Sequence, residues 1–201
     1  MVDNYSQKTG FALLISLIVV SVVLSVGLVI LDLTIKQVRL AATTADSETA
    51  FHAANAGMEC ARYWRRNLDD AALLGGNINS VECFGVSSTP NLIPGTPIAA
   101  AVGSGGTATQ HAYQFTWGPG GDRCTRVNMI SVVVPAFDPP HVIESATMRT
   151  EIPGYPGSSD AVCPPGSQCT TIAVQGYNQA CPTPGNDFGF GVVERKVLLE
   201  F

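Results

Sequence analysis

The residues of this 201-residue chain with the most chemistry to offer are its six cysteines, Cys60, Cys83, Cys124, Cys163, Cys169 and Cys181. As thiolates they would bind metal or act as nucleophiles; as pairs they would cross-link. Zinc spacing is missing, because no C-x-x-C occurs and His52, His111 and His141 lie in unrelated contexts. An even cysteine count then reads as disulfides, although six cysteines allow fifteen pairings. The preferred set is Cys163 to Cys169, closing a short loop, with Cys60 to Cys83 tying a helix to a first strand and Cys124 to Cys181 tying two strand ends. Proximity supports only the first of these, and the other pairings stay open. Disulfides form in oxidising compartments, which places the cysteine-bearing part outside the cytoplasm.

Other reactive residue types form no catalytic pattern. No nucleophile elbow, HExxH, P-loop or dinucleotide fingerprint is present. The glycine-rich stretches at 103–106 (GSGG) and 118–124 (GPGGDRC) do not sit between a buried strand and a helix, so they read as turns. Asp138, His141 and Glu144 are close in sequence, but a solvated hairpin end accounts for them better than acid-base chemistry. Asn186 and Asp187 carry calcium-type oxygens with too few partners nearby. No catalytic residue, metal site or cofactor is expected, and the chain does not read as an enzyme. With 11 Lys and Arg against 16 Asp and Glu, and a net charge of -5, it lacks the basic excess that nucleic-acid binding requires.

The elements that carry these residues divide sharply. Asp3 and Lys8 are the only charged side chains before Asp32, and all 13 prolines lie at Pro90 or later. Phe11 to Leu31 is apolar except for Ser16, Ser21 and Ser25, a run of roughly 32 Å as helix, which spans a bilayer. The serines can bond back to carbonyls one turn earlier, and with Gly27 they leave small surfaces for helix packing. The run is too long for the apolar part of a cleaved secretory signal. Lys36 and Arg39 outnumber Lys8, so flanking charge does not fix orientation.

Helical pattern continues without proline to Leu68. Ala50, Ala54, Gly57, Ala61, Trp64 and Leu68 recur at spacings of 4, 3, 4, 3 and 4, a single stripe, while Glu48, His52, Asn55, Glu59, Arg62 and Arg66 form a polar face with Glu59 placed to pair with Arg62. Beyond it come strand-like runs at 81–86, 112–117, 126–136, 141–152, 170–178 and 192–201, bounded by Gly/Pro clusters. The stretch 136–140 (AFDPP) reads as the turn joining the third run to the fourth. Ser87 to Gly106 and Pro153 to Cys169 read as long, weakly charged loops, more often surface padding than recognition loops. The expected fold is α+β: a long N-terminal helix whose small-residue stripe (Ala54, Gly57, Ala61, Trp64, Leu68) packs on one face of an antiparallel sheet.

MVDNYSQKTG followed by FALLISLIVV resembles the start of a type IV prepilin: a short polar leader with a basic residue, ending in glycine, then a phenylalanine opening an apolar helix. The stretch 47–64, SETAFHAANAGMECARYW, is similar to the second half of the N-terminal helix in minor-pilin-like proteins. The resemblance covers residues 1 to 68 and the remainder only as architecture. It implies a leader at 1–10, a transmembrane half-helix at 11–31, an amphipathic half at 32–68 and a disulfide-containing extracellular head at 69–201. It also implies cleavage after Gly10 and N-methylation of Phe11 by prepilin peptidase. Helix assembly would then run through Phe11, Ile15, Ser16 and Gly27, with other pilin subunits, an inner-membrane assembly platform and the lipid bilayer as partners. Major pilins of this family carry a glutamate at the fifth residue after the cleavage point, where it meets the terminal amine of a neighbouring subunit; here that residue is Ile15. A carboxylate in lipid is costly unless paired. Its loss points within the family to a minor pilin or pseudopilin.

Overall fold

The computed structural model describes residues 6–67, 81–87, 89–98, 108–183 and 187–200. The chain forms two compact units, Met1–Ala45 and Asp46–Phe201. Helix α1 runs from Ser6 to Asn67, so its first part belongs to the first unit and its last 22 residues (46–67) to the second. No proline or charge cluster interrupts it, and Arg65 and Arg66 in the last turn complement the negative end of the helix dipole.

The second unit is built on a five-stranded antiparallel sheet. Its strands are β3 (Thr89–Ile98), β4 (Ala108–Trp117), β5 (Arg123–Val133), β8 (Gln168–Tyr177) and β9 (Glu194–Glu200), in the order β3-β4-β5-β8-β9. Strands β1 (Glu82–Cys83) and β2 (Val86–Ser87) make a small hairpin, and β6 (His141–Ile143) pairs with β7 (Ala161–Cys163). The chain is thus α+β, with a long N-terminal helix and an antiparallel sheet.

Alternation sorts the strand residues onto two cores. Toward the 46–67 part of α1, Tyr113, Phe115, Val127, Met129, Ile172 and Val174 pack with Met58, Cys60 and Ala61. On the opposite face, Ala108, Ile130, Val132 and Ala173 pack with Val134, Ile143, Met148, Ile152, Tyr155 and Cys163. The sheet therefore buries both faces, not the single face expected, and the second cover is the excursion between β5 and β8.

That excursion corrects the reading of 141–152 as one strand. Only His141–Ile143 is extended; Ser145–Glu151 forms helix α2, whose Met148 is fully buried and whose first amide, Ser145 N–H, bonds to Asp160 Oδ1 at 2.9 Å. The proposed hairpin across 136–140 is also absent. Strand β5 pairs with β8 (Val127 opposite Val174), while the Asp138 amide bonds to the Pro135 carbonyl in a local turn. Two of the expected loops contain strands. Strand β3 pairs with β4 within 87–106 despite three prolines, which an edge strand tolerates, and β7 lies within 153–169.

Candidate functional site

The first unit presents one chemical feature, an exposed apolar helix surface. Every described side chain from Phe11 to Leu40 is exposed, from Phe11 at 68% through Ile15 at 46% to Leu40 at 68%. Burying each such side chain is worth about 1.5–3 kcal/mol, so a row of this length requires a non-aqueous surrounding. The serines carry no unmet polarity into it. Ser16, Ser21 and Ser25 hydroxyls donate to the carbonyls of Leu13, Ile18 and Val22, each at 2.8 Å, and Thr34 donates to Ile30 at 2.8 Å. Gly27 leaves open space around its α-carbon. Polarity returns at Asp32, which pairs with Lys36 one turn on at 2.7 Å. This is one candidate membrane-spanning helix near the N-terminus, consistent with a single-pass membrane protein. Gly10 and Phe11 both lie within α1, which extends back to Ser6 instead of opening at Phe11.

The second unit holds the other end of α1 by close backbone approach. Ala50, Ala53, Ala54, Gly57, Met58, Cys60 and Ala61 are buried, while Glu48, His52 and Glu59 are exposed. A Cβ on Gly57 would enter the space of Thr125 Cγ2 and come within 2.9 Å of Val174 Cγ1; one on Gly176 of β8 would strike the Ala50 carbonyl and the Ala54 amide. Thr125 Oγ1 donates to the Ala53 carbonyl at 3.0 Å and accepts from Trp117 Nε1 at 2.9 Å, bonding sheet to helix inside the core. Trp64 is half-buried, its indole N–H reaching the Glu82 carbonyl at 3.1 Å; Leu68 lies outside the described residues. The Arg62 guanidinium pairs with Glu59 at 3.1 Å, and Arg65 reaches Thr170 and the Gln168 carbonyl on β8.

Sequence reasoning did not pick out Ala53, Met58, Thr125 or Gly176. The signal for Gly176 was a lone glycine inside a strand pattern, the mark of a close backbone approach.

Three disulfides staple this unit: Cys60–Cys83, Cys124–Cys181 and Cys163–Cys169, with Cα separations of 6.1, 4.7 and 5.7 Å. They are the three pairs preferred from sequence, and they join α1 to β1, β5 to the segment after β8, and β7 to β8. The sheet's second face also carries a polar network. Asn128 donates to the Glu151 carbonyl at 2.6 Å and accepts from Gln110 at 3.1 Å, and Arg126 donates to Gln114 at 3.1 Å while lying over the Phe188 ring at 4.8 Å. Burial pushes the Tyr113 hydroxyl above the ordinary tyrosine range; burial and then the Glu194 charge push up Tyr177, against Arg126. Tyr155 is pushed up to about 12, by burial first and then by its 2.5 Å hydrogen bond to Glu200 and that carboxylate's charge.

The suggested acid-base residues do not form a solvated hairpin end. His141 is 2% exposed and opens β6, whereas Glu144 is exposed and precedes α2. The burial follows from pairing: the β6–β7 ribbon turns one face, with Ile143 and Cys163, into the second core, and the first side chain of β6 lies on that face. The glycines of 118–124 form the β4–β5 turn as expected, with Gly118, Gly120 and Gly121 at positive φ. Asp187 is exposed, Asn186 and 103–106 lie outside the described residues, and no group of three or more His, Cys, Asp or Glu suited to a metal occurs among the described residues. No family model, curated protein or solved structure matches this chain.

Proposed function

We propose that the chain is a structural subunit, a minor pilin or pseudopilin, of a type IV pilus-like filament. The observation that carries this reading is the row of exposed apolar side chains from Phe11 to Leu31, which starts immediately after a polar leader ending in Gly10 and continues unbroken into the helix that packs on the sheet. The helix would hold the chain in the bilayer until cleavage after Gly10 by prepilin peptidase and methylation of Phe11. Moving from lipid into a bundle of like helices then costs little, because the apolar surface stays out of water in both states. Ile15, the fifth residue after Gly10, leaves no carboxylate there to pair with a neighbour's amine, which suits a subunit with no other above it. The three disulfides favour a head outside the cytoplasm.

Intact mass and N-terminal analysis of membrane-extracted protein test the reading. The expected mature terminus is a methylated Phe11. A terminus at Met1 would instead make the chain a single-pass anchored binding domain that does not polymerise, and the filament reading would be abandoned.

A further inference from the structure

Three features converge on the Cys163–Cys169 disulfide. First, both of its half-cystines line an open cleft on the second face of the sheet, whose other walls are Ile130, Val132, Ile143, Ala161, Val162 and Thr171. Cys169 is half-buried, whereas Cys163 is buried. Second, His141 stands directly opposite Cys163 in the β6–β7 ladder, so the two side chains leave the same face of the ribbon with their Cβ atoms about 5 Å apart. His141 is 2% exposed and neither ring nitrogen has a hydrogen-bond partner among the described residues. A buried imidazole left without partners is expensive unless something uses it. Third, the Ser167 hydroxyl lies 3.3 Å from Cys163 Sγ and 3.9 Å from Cys169 Sγ.

We propose that Cys163–Cys169 is a thiol-exchange site, with Cys169 the sulfur attacked and Cys163 the leaving sulfur. The reductant is a small thiol or a cysteine side chain that enters the apolar cleft. Exchange requires a thiolate to approach one sulfur and the other sulfur to accept the electron pair. The cleft gives access to Cys169. The incoming thiol ionises, and its sulfur bonds to Cys169 Sγ as the Cys163–Cys169 bond breaks; the bonding pair stays on Cys163 as a thiolate. The proton lost by the thiol is balanced through solvent by one gained at His141, so that imidazolium and thiolate face each other in a buried site. A second thiol then displaces Cys169 from the mixed disulfide, completing a two-electron reduction of the protein and oxidation of two thiols to one disulfide. The inference is independent of the filament reading.

Glutathione exchange on the full-length chain in detergent provides the test, with acid quenching, alkylation and mass mapping of all six cysteines. Cys163–Cys169 is expected to open at least tenfold faster than the other two disulfides, and the first glutathione adduct is expected on Cys169. In His141→Gln the opening of this bond should slow about tenfold while the other two rates are unchanged. Three disulfides opening together, or a first adduct on Cys163, would overturn the assignment without any variant. An undiminished preference in His141→Gln would show that a short, accessible loop alone sets the order and would remove His141 from the site.

Discussion

Gly176 illustrates how much of this molecule rests on atoms that are missing. It sits in the interior of β8, where a glycine ordinarily weakens a strand, yet its α-hydrogen faces the backbone of α1 at Ala50, Ala53 and Ala54. Those neighbours are main-chain atoms of a helix, which cannot swing aside as a side chain would. Gly176→Ala should therefore destabilise the disulfide-intact head by about 3 kcal/mol, at the upper end of ordinary overpacking, read as a shift in denaturation midpoint. Gly27→Ala is the control, since no atom stands within 4 Å of where its Cβ would go and helix propensity favours alanine. An equal loss in both variants would mean that glycine acts through chain entropy and not through the close approach. The stripe Ala54, Gly57 and Ala61 was readable because helical period marks it, but its partner was not, since nothing local in TTIAVQGYN tells which strand lies under the helix. His141 was misread for a related reason. Its neighbours in sequence, Asp138 and Glu144, are polar, and the histidine turns inward because β6 pairs with β7, about twenty residues away in sequence.

At the scale of elements, local pattern found α1 and the centres of β4, β5, β8 and β9, because long apolar or alternating runs leave little choice. It missed β3 and β7 and mistook α2 for strand. Strand β3 is proline-rich and exists by pairing with β4, whereas HVIESATMRTEI holds enough β-branched residues to look extended although Ser145–Glu151 forms about two turns of helix. The excursion carrying β6, α2 and β7 is fastened at its far side by the Tyr155 hydroxyl donating to Glu200 on β9, and that bond sets a pH limit. Tyr155 is pushed up to about 12, and the hydroxyls of Tyr113 and Tyr177 are raised as well. Above the ordinary tyrosine value of about 10 the unfolded chain loses these protons while the folded chain keeps them, so the unfolded state binds fewer protons and stability falls as pH rises. The contribution is intact below pH 10 and is lost between about 10 and 12, at about 1.4 kcal/mol per pH unit for each tyrosine so held. Reversible denaturation at short exposure should show this decline, and Tyr155→Phe should make it shallower. A flat profile from pH 9 to 12 would mean that these hydroxyls ionise in place without cost.

Across the whole molecule, two units with opposite solvent requirements share one helix. Side chains from Phe11 to Ala45 are exposed, while Asp46 to Glu200 contains both cores and all three disulfides. Both cores and all three disulfides lie within the second unit, so the stability of the head should not depend on the first. Cutting at Asp46 also leaves a serviceable helix start: Asp46, Ser47 and Glu48 place cap-forming and acidic residues in the new first turn, where the helix dipole favours them. Ser47 is already held by the Arg195 guanidinium at 2.6 and 2.9 Å. A chain of residues 46–201 made in an oxidising compartment should be a soluble monomer with the same three disulfides and cooperative unfolding. The full-length chain should need detergent or lipid, because apolar surface worth tens of kcal/mol would otherwise face water. Sedimentation of the two proteins with and without detergent checks this directly. Full-length protein that stays monomeric in plain buffer would mean that the row from Phe11 to Leu31 is covered by the chain itself, and membrane insertion and filament assembly through that row would both be abandoned.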